Sequence, residues 1–163
     1  MDKYDRIILN LKIISQVPRN GRLRRITKGA VTLEDDHLLV PFKRMIYHDS
    51  RHQSLNDISA IFNESISESK LWLSSKDLDT GEFDSLDEMT DTKRCIVEKV
   101  SLMYRELDRS IVGLENLKST YRDDISIVSS LDIIIEKVLS HLADIKRKCP
   151  MVEENLSPVV VKE

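Results

Sequence analysis

Two apolar ladders in the second half of the chain limit most strongly what it can fold into. Ile96, Val100, Met103, Leu107, Ile111, Leu114, Leu117 and Tyr121 recur every three or four residues, and so do Val128, Leu131, Ile135, Val138, Leu142 and Ile145. That spacing places each set on one face of a helix, and its near-heptad regularity is that of helices packed along their length. Between the ladders, STYRDDIS supplies a break in which Asp123 or Asp124 can cap the second helix. Lys146, Arg147 and Lys148 suit the negative end of its dipole, and Pro150 stops it. The simplest arrangement is a long antiparallel helical hairpin.

The rest of the 163-residue chain must cover the hairpin's apolar flanks, where Leu102, Val112, Ile127, Ile133 and Ile134 lie beside the main seams. A third helix or another subunit could do this. Tyr4, Ile7, Leu11 and Ile14 predict a first helix over 3–17, ended by Pro18 and Gly21. RLRRIT against AVTLE predicts a small hairpin turning at Lys28–Gly29. A short helix is expected around FKRMIYH, with Pro41 in its first turn. Ser54, with Asp57 three residues on, predicts the start of another helix. Its apolar face is Leu55, Ile58, Ile61, Phe62, Ile66 and Leu73.

The predicted fold is therefore mainly α: a helical bundle with a long antiparallel helical hairpin and a small N-terminal β-hairpin. Residues 1–73 hold the N-terminal helix, β-hairpin and further helices. Residues 74–92 form an acidic linker, 93–149 the helical hairpin and 150–163 a flexible tail. Val159, Val160 and Val161 in that tail could instead add a strand to a neighbour. With 40% hydrophobic residues the chain can bury a core without disulfides or metals. Cys95 and Cys149 fit a reducing compartment or plain core positions, and Cys95 is expected to be partly buried. The first residues lack the pattern of a signal peptide, and no apolar run approaches the ~20 residues of a membrane span. A soluble protein of the cytosol, or packaged from it, is expected.

Charge is unevenly placed. Residues 1–52 carry 11 Lys plus Arg against 6 acids, whereas residues 53–92 carry 2 against 10. Such compensation favours contacts within the fold or between copies over free nucleic-acid binding. Phosphate contacts, if made, would fall to Arg19, Arg22, Arg24 and Arg25.

No motif specifies a reaction or a cofactor. His48 and His52 are four apart but have no third or fourth metal ligand nearby, and His37 and His141 read as surface or helix-end residues. Neither cysteine has a setting that would lower its pKa, and no G-x-S-x-G or phosphate-binding glycine loop occurs. The densest cluster of chemistry is PFKRMIYHDSRHQ at residues 41–53. Lys43, Arg44 and Arg51 could form an anion site beside a helix start. The alternative is structural: Met45, Ile46 and Tyr47 enter the core while Arg44 and Arg51 pair with acids of 53–92. The structural reading, a joint between helices, is preferred.

The stretches LNLKIISQVPRNGRLRRITKGAVTLEDD and FKRMIYHDSRHQSLNDISAIFNESI resemble the amino-terminal region of small proteins from nucleocytoplasmic large double-stranded DNA viruses. The matching positions are Leu11, Lys12, Ser15, Gly21, Leu23, Arg44, Ser50 and Arg51, within about residues 7–70. The resemblance implies a viral component, located in the virion or the host cytoplasm. The expected function is that of a non-enzymatic structural or assembly protein, a minor capsid component bridging neighbouring subunits. Its partners would be other virion or assembly proteins, or further copies of itself, with no cofactor. A cytosolic adaptor binding a partner helix along residues 96–145 is the alternative.

Overall fold

The computed structural model describes residues 2–15, 45, 51–79 and 85–152. The side chains of residues 13–15, 51 and 86 fall outside that description. Four long helices make up most of the described chain: α1 (Lys3–Ser15), α2 (Arg51–Ser74), α3 (Asp91–Thr120) and α4 (Ile125–Lys148). A single 3-10 turn, Leu86–Glu88, precedes α3. No strand occurs among the described residues. The expected β-hairpin lies outside them, as do residues 153–163 of the expected tail and most of the expected short helix around Met45; Val152, placed in that tail by the sequence, is fully buried.

The helix ends follow from local chemistry. Thr90 caps α3 by accepting from the Lys93 N–H at 3.2 Å, and Asp124 caps α4 by accepting from the Ile127 N–H at the same distance. Each satisfies a donor that a helix start leaves without an intrahelical partner. Three cations close α4 before Cys149. The expectation for Ser54 needs correcting. Helix α2 begins at Arg51, so Ser54 lies inside the helix and is fully buried rather than capping it.

Side-chain contacts give the helix directions. Lys3 meets Glu68 at 3.7 Å and a groove runs on to Asn10 and Ile61, so α1 and α2 are antiparallel. Asn63 meets Lys137 and Ser69 meets His141, so α2 and α4 run parallel. The turn at 121–124 reverses the chain between α3 and α4, which Lys118 and Asp132 also bridge. The main contacts join α1 to α3 and α2, and α4 to α3 and α2. The result is an up-down-up-down bundle in which α2 and α3, consecutive in sequence, sit across the diagonal.

One apolar cluster runs through all four helices and includes Met45, Met89, Cys149 and Val152. Both predicted ladders enter it, though Ile96, Ile111 and Val128 sit at its margin. Ile127 and Ile134, expected beside the seam, are core residues, while Val112 and Ile133 point outward. Helix α2 faces α4, which widens the buried face of α4 beyond a two-helix seam. Ile61 of α2 is only partly buried. Cys95 is exposed, contrary to expectation, because the core face of α3 passes through Val97 and Val100 instead.

Candidate functional site

Polar side chains inside this core are few, and two of them touch. Ser69 of α2 and His141 of α4 are buried, and Ser69 Oγ lies 2.7 Å from His141 Nε2. The same hydroxyl lies 2.8 Å from Met103 Sδ on α3. Three helices therefore meet at one hydroxyl. Its placement follows from helical period: Ser69 stands three residues after Ile66 and four before Leu73, on the buried face of α2. His141 stands three after Val138 and four before Ile145. The backbone carries both side chains into the core regardless of their polarity.

The proton arrangement follows from counting donors. Ser69 has one hydroxyl proton and two neighbours, and a thioether can only accept. If the hydroxyl donates to Met103, then His141 Nε2–H donates to Ser69 and both short contacts are made. His141 Nδ1, which has no protein partner, is then a bare lone pair. The opposite arrangement would set the sulfur against an oxygen lone pair and bury an Nδ1–H with no acceptor. Nδ1 is unpaired in either case, so the first is favoured because it alone satisfies both the Ser69–His141 and the Ser69–Met103 contacts. Ser69 is then the recipient of a proton bond from the histidine, the reverse of what nucleophile activation needs. Burial disfavours the charged imidazole and pushes His141 down to about 4; the nearby cation Lys70 acts in the same direction. The ring is neutral at pH 7.

Two further polar contacts lie near the end of the bundle where α3 begins. Lys93 is nearly buried and its ammonium holds both the carbonyl and the carboxylate of Asp77, at 2.9 and 3.0 Å. The Tyr4 hydroxyl donates to the Lys99 carbonyl at 2.6 Å, and its ring centre lies 5.0 Å from that of Trp72. Burial raises the Tyr4 phenol, so it remains a donor. A shallow cavity of about 110 Å³ between α1 and α2 is edged by Lys3, Arg6, Asn10, Glu64 and Glu68.

The residues singled out from sequence fall almost entirely outside the described part of the chain. Arg19, Arg22, Arg24, Arg25, Lys43, Arg44, Val159, Val160 and Val161 lie outside the described residues, and Arg51 is the first residue of α2, its side chain outside the description. His52 is exposed and approaches the capping carboxylate of Asp124 at 4.0 Å. His141, expected at the surface or a helix end, is instead in the core. Among the described residues no three His, Cys, Asp or Glu side chains converge to hold a metal. No described helix is long and apolar enough to cross a membrane. Compared with known proteins, the chain matches no family model, no curated protein and no solved structure.

Proposed function

We propose that the chain is a non-enzymatic structural or assembly protein, a minor virion component that bridges neighbouring subunits. The viral part of this reading rests on the amino-terminal resemblance. The contact role is supported by one observation above all: Leu71, Val112, Ile133 and Leu139 remain between 50% and 59% exposed on helices whose inward faces are already filled. Covering each such side chain on a partner contributes about 1–2 kcal/mol. The bundle supplies the body of the contact, and the basic segment 19–28 and the segment with Val159, Val160 and Val161 would supply flanking contacts. The buried serine–histidine pair fits a protein that works by contact, since its proton arrangement joins helices and leaves the serine unactivated.

Sedimentation of the native protein, with mass spectrometry of the fractions, tests this reading. Recovery in particles of virion size that survive high salt is the expected result. Recovery only in small soluble complexes would overturn it and favour an adaptor that binds a partner helix along α3 and α4.

A further inference from the structure

At Ser69, among the described residues, three helices share a polar contact inside the core, and its histidine has a second nitrogen that faces no acceptor. We propose that this node is an acid-operated latch: a proton taken from solvent at His141 Nδ1 expels the ring from the core and releases α2 from α4.

The geometry argues for it from each side. Protonated at Nδ1, the ring would carry a second N–H into a site with no protein acceptor, besides a net charge in an apolar setting. Its charged neighbours do not compensate. Helix α2 brings the cation Lys70 beside it, and α4 brings Lys148 together with one anion, Asp144. Asp144 is already paired with Arg147 at 2.9 Å. Helix α3 offers the Met103 sulfur and, three residues on, Glu106, which holds Arg109 at 3.1 Å. Lys70 follows Ser69 directly on α2, so the new charge repels the helix that the latch holds. The rest of the α2–α4 contact offers little polar resistance: the Asn63–Lys137 bond is exposed, and the His52–Asp124 approach is 4.0 Å.

The sign follows from the ring's preference for neutrality when enclosed. Burial holds His141 near 4 against an ordinary 6.5, so the open form takes up protons first as pH falls through that window. The opening equilibrium should rise by about 300-fold between pH 7 and pH below 4, the factor set by that separation. Trp72, the sole tryptophan, lies on α2 three residues from Ser69 and reports the movement.

The test follows Trp72 emission and amide exchange from pH 7 to 4, with nitrogen-15 shifts of His141 recorded on the same samples. The expected result is faster exchange in α2 and a Trp72 red shift that track His141 protonation, while α3 and α4 keep their protection. His141→Gln, whose amide donates to Ser69 but takes no proton, should lose the step. Persistence of the step in that variant would overturn the latch, as would simultaneous loss of protection in all four helices. If His141→Gln fails to fold at pH 7, the wild-type titration decides alone. Opening that coincides with His141 protonation supports the latch, and opening at a different pH rejects it.

Discussion

The ammonium of Lys93, on the first turn of α3, is bonded at once to the carbonyl and the carboxylate of Asp77, which lies beyond the end of α2. One side chain thus anchors the chain between two helices that sit diagonally across the bundle. The lysine is nearly buried while the aspartate is largely exposed, so the energetic weight falls on the lysine's stem and head. Lys93→Met, which keeps the stem, should stay within about 1 kcal/mol of wild type, because a buried ion and an apolar isostere often balance. Lys93→Ala should cost distinctly more. The Lys93 hydrogen bond holds the Asp77 carboxyl below its ordinary value, so Asp77 stabilises the fold above that range and the contribution is lost as pH falls through the depressed value. Asp77→Ala should lower the unfolding midpoint and speed amide exchange at residues 76–79. Unchanged exchange there would remove Asp77 as the anchor.

Ser69→Ala leaves the His141 Nε2–H without an acceptor and should cost about 1–3 kcal/mol. His141→Leu costs less polar satisfaction, since the Ser69 hydroxyl still reaches Met103. The double variant should therefore be more stable than the sum of the two single losses by at least about 0.5 kcal/mol. Strict additivity in denaturant unfolding would mean that the 2.7 Å contact has no energetic coupling.

The same histidine sets an acid limb to global stability. Its folded value lies near 4 and its unfolded value near 6.5, so the unfolded chain binds the proton first. The His141 contribution should be flat above pH 6.5, fall on acidification and level off below 4, with a total loss of about 3 kcal/mol from this group. Comparing denaturant midpoints of wild type and His141→Gln isolates that share from the carboxylates.

What the sequence made legible was the periodic part. The ladders from Ile96 and Val128, a cap at Asp123 or Asp124 and the cationic end of α4 are all local patterns, and local patterns survive without knowledge of neighbours. Ile127 and Ile134 were ambiguous because their burial depends on α2 lying beside α4, a tertiary fact. Ser69 and His141 are illegible as core residues for a different reason. Both occupy positions of core period, but a lone polar side chain at such a position does not by itself signal burial. A serine at i+3 from one core residue and i−4 from another was the available signal. Ser54 is the opposite case: a good capping residue predicts a helix start, yet it lies buried inside α2.

The Asp124 cap can be measured apart from the core. Its side chain accepts from Ile127 N–H while its carbonyl accepts from Val128 N–H. Asp124→Ala removes only the first of these and should cost about 1 kcal/mol, whereas Asp124→Asn should cost less because the amide oxygen can still accept. Thermal unfolding of the two variants checks the order. Equal losses would assign the effect to charge, including the His52 approach, instead of to capping.

Leu107 and Leu131 test the core itself. They are 1% and 0% exposed on adjoining helices, within the ladders that define the hairpin. Truncation to alanine should cost about 2–5 kcal/mol at either site, the spread reflecting how far neighbours close the cavity. Against a total stability of about 5–15 kcal/mol, that leaves a weakened but folded bundle. Aspartate is a stronger challenge, since no buried cation is placed to meet it and an unpaired buried charge is among the costliest changes a core can take. Leu107→Asp and Leu131→Asp should therefore lose helical circular dichroism at 25 °C, while Val112→Asp and Ile133→Asp on the outer faces should keep it. Intact dichroism in both core variants would mean that the ladders do not form the interior of this bundle.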